Sequence, residues 1–221
     1  MVSGKANSSS RGRDCDRQEA RHKRGEKRVK PPLDEAQLRD LALSYVARFA
    51  STGARLEAYL ARKLKERGVA EDGDGRTAAI DIPALVARLV ELGYVDDAAY
   101  ARMRARDLGA RGYGARRVEQ ALWAAGVGEG IRADTAPGEA ARRRAAVLMA
   151  QKRRLGPFGA GRADSADPLA LRKAHEKAVA AMLRAGHDYE HVRFILDCPG
   201  EAAIAQWLDE AAEAEGMDGS W

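Results

Sequence analysis

Aromatic residues are scarce in this chain: phenylalanine, tyrosine and tryptophan together make up 5% of its 221 residues. β-Branched residues are few as well, while alanine is abundant. That balance suits close helix-on-helix packing better than a thick β-sandwich. Only two cysteines occur, Cys15 and Cys198, and no Cys-x-x-Cys spacing exists. Zinc-knuckle and thioredoxin-type chemistry therefore drop out, and two free thiols in a reducing compartment are the simplest reading. No apolar run approaches the roughly 18 residues of a membrane span. The N-terminal stretch lacks the apolar core of a secretory signal, and Asp14, Asp16, Glu19 and Glu26 argue against a transit peptide. A cytoplasmic protein with no membrane association is expected.

Charge is plentiful and unevenly placed. The net charge is +5. Residues 1–32 carry ten bases and four acids, residues 136–200 carry twelve and seven, and residues 201–221 carry six acids and no base. Two basic regions suit a polyanionic partner, and the acidic tail suits either screening of those regions or contact with a basic partner. Basic residues that merely solvate helix faces give the same counts.

Residues 1–32 are polar and nearly free of large apolar groups, which predicts a disordered basic arm ending at Pro31-Pro32. From Asp34 the pattern changes. Leu38, Leu41, Ala42, Tyr45, Val46 and Phe49 recur with helical spacing behind an aspartate N-cap. A second helix carries Leu56, Tyr59, Leu60 and Leu64 and stops at Gly68. A third carries Ile82, Leu85, Val86, Leu89 and Val90, with Asp81 as its cap and Pro83 in its first turn, and stops at Gly93. The same grammar returns over Asp97 to Leu108, from Ala115 to Gly126, and in a short helix to about Thr135. It returns again over 139–154, 168–185 and from Tyr189 to Leu196, with an acidic amphipathic tail over 201–215 that turns Ile204, Trp207 and Leu208 inward.

Lining up the stops exposes a repeat, L-x3-L-x3-G, at Leu60-Leu64-Gly68 and Leu85-Leu89-Gly93. Val118-Leu122-Gly126 and, more loosely, Ala178-Met182-Gly186 follow it. Two apolar residues one turn apart face a core, and glycine takes the left-handed conformation that ends the helix. Short helices do not persist alone in water, so each must pack on neighbours. The prediction is an all-α, elongated array of three tandem three-helix repeats: 33–93, 94–135 and 139–197, after an arm over 1–32 and before an acidic tail over 201–221.

Candidate sites are few. Asp96-Asp97 reads as helix punctuation, since adjacent residues diverge by about 100° once a helix begins. Gly112-Tyr113-Gly114 lacks the Gly-Lys-Ser/Thr of a phosphate loop and reads as a tight αα turn with Tyr113 outside. His187 and His191 are four apart but have no third ligand, so no metal and no cofactor is expected; a partly buried helix start fits them better. No catalytic constellation is found. The arginines carry more weight. Arg102, Arg104, Arg106, Arg111, Arg116 and Arg117 crowd one segment, and Arg102 and Arg106 share a helix face. A guanidinium is a planar five-donor fork suited to phosphates and carboxylates. A solvated face and a binding face both fit.

The segment "GYVDDAAYARMRARDLGARGYGARRVEQALWAAGV" resembles the middle repeat of the RecX family of bacterial recombination regulators. Gly93, Asp96, Asp97, Tyr100, Gly112, Tyr113, Gly114, Arg117, Val118, Gln120, Leu122, Gly126 and Val127 occupy the motif positions without a gap. The flanking helices resemble the first repeat and the end of the third, so the likeness spans about 35–197. The chain departs from the family at Ala115, Ala121, Ala125 and Asp107-Leu108. The resemblance implies a non-enzymatic modulator, an array lying in the groove of the RecA–DNA filament and restraining its ATP hydrolysis and strand exchange. Under it, Arg102, Arg106, Arg116 and Arg117 are the expected polar contacts, single- or double-stranded DNA is a further partner for the basic faces, and the chain is a monomer. The motif glycines and Asp96-Asp97 are expected to shape the scaffold. The competing expectation is a free-standing DNA- or RNA-binding helical protein.

Overall fold

The computed structural model describes residues 31–71, 79–159 and 167–218. The basic arm, apart from Pro31 and Pro32, lies outside them, as do the centre of the loop after Gly68 and most of the one after Phe158. Among the described residues there are ten α-helices and one 3-10 turn, and an isolated bridge of strand type pairs Leu33 with Val69. The chain is all-α, in three units.

The first unit holds α1 (Glu35–Val46), α2 (Gly53–Arg67) and α3 (Ile82–Glu91). Their starts are set as the sequence predicts, with Asp34 accepting from Gln37 N at 2.7 Å and Asp81 from Ala84 N at 2.9 Å. Leu38, Ala42, Leu56, Leu60, Val86 and Leu89 fill its core, which Val95 closes from the segment that leads to the next unit. The second unit holds α4 (Asp97–Ala110), α5 (Ala115–Trp123) and α6 (Glu129–Asp134) around Tyr100, Leu108, Val118, Leu122 and Val127.

The third unit holds α7 (Glu139–Arg153), α8 (Pro168–Arg184) and α9 (Tyr189–Asp197), with a 3-10 turn at Gly156–Phe158 in the stretch the sequence reads as loop. Its core takes in Ile204 and Trp207 from α10 (Glu201–Asp218), the acidic tail. That helix does more than cover α7. Gly138, the N-cap of α7, has no side chain to offer, and Glu215 Oε1 accepts from Ala140 N at 2.9 Å in its place. Arg143 donates to the carbonyl of Trp207 at 2.7 Å, and its guanidinium lies 4.6 Å from the Trp207 ring centroid.

The glycine stops close their helices by one device. The N–H of the residue after each glycine bonds back five residues, from Tyr94 to Leu89 O, Tyr113 to Leu108 O, Val127 to Leu122 O and His187 to Met182 O. Each glycine before these donors has a positive φ, between 75° and 92°.

Candidate partner-binding site at the repeat junctions

Short units with separate cores hold together only through what crosses between them. At the first junction, Thr52 caps α2 and is fully buried. Its hydroxyl donates to the carbonyl of Ala125 just past α5. Asp97 Oδ1 accepts from Gly53 N at 2.9 Å, and Arg55 reaches the hydroxyl of Tyr100, its guanidinium 5.3 Å from the ring centroid. The two aspartates therefore split. Asp96 caps its own helix by accepting from Ala99 N at 2.7 Å, whereas Asp97 reaches across to the first turn of α2. Gly126 is held to glycine twice over, by φ of 75° and by Ala54, whose Cβ lies 2.3 Å from where a side chain would begin.

The second junction is built on backbone. Gly114 N donates to Ala185 O at 3.0 Å and Arg116 N to Gly186 O at 3.2 Å, so the open N–H groups at the start of α5 find the open carbonyls at the end of α8. A Cβ on Gly114 would stand 2.2 Å from Gly186 O, and one on Gly112 3.1 Å from Met149 N. His187, buried on all sides, places Nε2 3.0 Å from Gly112 O. Burial of this ring lowers its pKa, the Gly112 carbonyl and Asp188 opposing and His191 assisting. Gly112-Tyr113-Gly114 is thus more than a turn: it is the surface on which the third unit docks. With Thr52 meeting the end of α5, the middle helices α8, α5 and α2 follow one another end to end, each start against the preceding helix's carbonyl end, an arrangement their dipoles favour.

A groove of about 530 Å³ opens where α4 and α5 meet α7. Its floor is apolar, with Ala105, Val118, Ala145 and Leu148, and its rim carries Arg102, Arg106, Arg142 and Arg144 against one acid, Asp134. Arg142 is engaged by Glu139 at 2.8 Å and Asp188 at 3.8 Å. Among the described residues Arg102, Arg106 and Arg144 form no ion pair, so these three are the open cations of the rim. Arg104 and Arg111, part of the same run in sequence, are both taken by Asp107 at 2.9 Å.

The four arginines singled out from sequence are divided by the fold. Arg102 and Arg106 line the groove; Arg116 borders a neighbouring depression with Gln120 and Arg132; Arg117 lines neither and sits where its backbone meets Gly186. Arg144 is the residue that sequence reasoning passed over. The signal was Arg142-Arg143-Arg144: three successive helical positions fan over about 200° of the helix surface, and the fold turns Arg142 and Arg144 to the groove.

Among the described residues no group of three His, Cys, Asp or Glu side chains gathers to hold a metal. His187 and His191 point to different partners, the second bonding Glu139 Oε1 at 2.9 Å. Burial by itself would raise the Glu139 carboxyl, but Arg143, His191 and Arg142 hold it below the usual range. No described helix is long and apolar enough to cross a membrane.

Known proteins agree with this architecture. The sequence pattern of "RecX, second three-helix domain" matches residues 96–135, which begins at Asp96 and ends after α6. The chain is similar to "Regulatory protein RecX" of Myxococcus xanthus (strain DK1622), 33% identical over 178 residues that cover 79% of this chain and 91% of that one. It shares its fold with the crystal structure of RecX from Lactobacillus salivarius, with a TM-score of 0.54, 20% identity, and coverage of 79% of this chain and 96% of the other. Identity at that level over so much of both chains, joined to the match across the second unit, means that this chain belongs to the RecX family.

Proposed function

We propose that this RecX-family protein binds the RecA recombinase filament on DNA and lowers its ATPase and strand-exchange activity, acting by attachment and transforming no molecule itself. The observation that carries the reading is the groove at the second junction. Three arginines free of ion pairs within the described residues surround an apolar floor on a tandem array. Such a rim suits an acidic surface with an apolar ridge, and arginine's fork suits carboxylates in particular. An array of linked units also suits a repeating partner, because each unit meets the next copy of one surface and the effective concentration of the second contact is set by the first. Arg102, Arg106 and Arg144 are the proposed contacts of the groove, with Arg116 beside them.

The test is a titration of the protein into RecA-catalysed, DNA-dependent ATP hydrolysis and strand exchange. Inhibition is expected at less than one protein per RecA. The triple variant R102E/R106E/R144E, with its helix content checked by circular dichroism, should need about ten-fold more protein or greater, since reversing charges that face an acidic surface costs 1.4 kcal/mol or more. Unchanged rates at a several-fold excess of the wild-type protein would retire the function. Unchanged potency in the variant would retire the groove.

A further inference from the structure

A second surface lies on the first unit, away from the arginine groove. Phe49, just past α1, is 57% exposed, a poor place for one of only three phenylalanines in the chain. It does not stand alone. Its ring centroid lies 5.4 Å from that of Tyr45, the planes tilted by 48°, and Tyr45 stacks on Tyr59 of α2 at 4.4 Å with 21° between the planes. Over Tyr59 come two cations, the Arg62 guanidinium at 5.7 Å and the Lys63 ammonium at 5.9 Å from the ring centroid. The result is a ladder of three aromatic rings, open at Phe49 and capped by positive charge at the other end.

Cations in the last turns of a helix are favoured by its dipole, and α2 ends on Lys65 and Arg67 for that reason. The dipole does not account for the rings. The core accounts for Tyr45 and Tyr59, which pack half-buried against Leu38, Leu56 and Leu60, but it leaves Phe49 outside. Glu66 is the one acid among these bases, 2.6 Å from Lys63 and 3.8 Å from Arg62. That leaves Arg62, 64% exposed at its side chain, loosely held and able to turn to an outside anion. At this end of α2, Arg67 Nε also donates to the Pro31 carbonyl at 2.8 Å.

We propose that this ladder is a binding platform for single-stranded nucleic acid. A base stacks on the open face of Phe49, and Arg62 and Lys63 engage the phosphates of the same strand. The pairing of an exposed ring with flanking cations is what an unpaired strand requires, since every base offers a π-face and every linkage a negative charge. A duplex keeps its bases stacked inside and offers nothing to Phe49. The proposal is independent of the recombinase, so its test uses this protein alone.

The experiment measures fluorescence anisotropy of a labelled short oligothymidylate and of a base-free oligonucleotide of the same length, with the full chain, over a range of salt. The wild type should prefer the oligothymidylate by roughly five-fold or more, the share of one stacked base. Phe49→Ala should abolish that preference and Phe49→Trp should keep it, with helix content unchanged in both. The double variant R62A/K63A should weaken both oligonucleotides and flatten the salt dependence. Equal binding of the two oligonucleotides by the wild type, or binding of neither, overturns the proposal. So does an undiminished preference in Phe49→Ala. Sedimentation showing that Phe49→Ala dissociates a dimer also overturns it, because the ladder is then covered by a second copy of the chain.

Discussion

Replacing Gly114 by alanine isolates what holds the second and third units together. The backbone at Gly114 has φ −80° and ψ 170°, which any residue adopts, so no conformational penalty attaches to the change. What alanine cannot do is fit. Its Cβ would lie 2.2 Å from Gly186 O, 2.3 Å from Gly186 C and 2.4 Å from His187 N, all backbone atoms with no rotamer to escape into. Restoring ordinary contact means separating the two segments by about 1 Å. The bonds at stake are Gly114 N to Ala185 O, Arg116 N to Gly186 O and the His187 ring to Gly112 O, at 3.0, 3.2 and 3.0 Å. Each is worth about 1 kcal/mol net, and a buried partner left open costs about 1–3 kcal/mol. A loss of about 2–4 kcal/mol follows, which for a chain of this size lowers Tm by roughly 5–15 °C. Gly109→Ala is the internal control. Gly109 lies within α4 with nothing within 4 Å of its missing Cβ, so alanine there should stabilise by about 0.5–1 kcal/mol. Urea unfolding followed by far-UV circular dichroism and by Trp fluorescence measures both. If Gly114→Ala falls within about 1 kcal/mol of wild type, the close approach of the two backbones does not hold the units together and the reasoning is wrong.

At the first junction, Thr52→Val and Asp97→Ala should each cost about 1–2 kcal/mol, and Asp96→Ala about 1 kcal/mol through its own helix alone. Hydrogen exchange at the Gly53 amide separates them: it should quicken in Asp97→Ala and not in Asp96→Ala, and equal rates would contradict the division of the pair. Stability should also fall with pH through His187. Its folded-state pKa lies below the usual imidazole value, so the unfolded chain takes up the proton first. The neutral ring's contribution is therefore complete above about pH 6.5 and shrinks as pH drops from there toward the folded-state pKa. His187→Gln, which keeps a donor for Gly112 O, should flatten that slope; a slope as steep as wild type would assign the titration to another group.

The helices were written locally. Asp34, Asp81 and Asp96 cap as their positions indicate, most apolar residues at helical spacing fill the three cores while Phe49 and Val90 stay exposed, and the glycines that stop α3, α5 and α8 have positive φ. Such features are legible because they depend on residues within a turn or two of one another. Asp97 shows where that reach ends. Beside Asp96 it looks like a second cap, and only its 2.9 Å bond to Gly53, 44 residues away, reveals it as a clasp between units. The candidate site was half legible for the same reason. Six arginines in one run looked alike in sequence, and the fold sorted them: Asp107 took two, the groove took Arg102 and Arg106, and Arg144 joined from another unit.

The sequence by itself determined that this chain is helical, where its helices begin and stop, and which side of each is apolar, because hydrogen bonding within a helix and burial of one face are short-range matters. Tertiary structure alone decided that Gly114 must lie against the carbonyls of α8, that Glu215 of the acidic tail completes α7, and which arginines stay open. Those outcomes follow from distances between atoms far apart along the chain. They are set when three small cores pack against one another, and no local pattern encodes them.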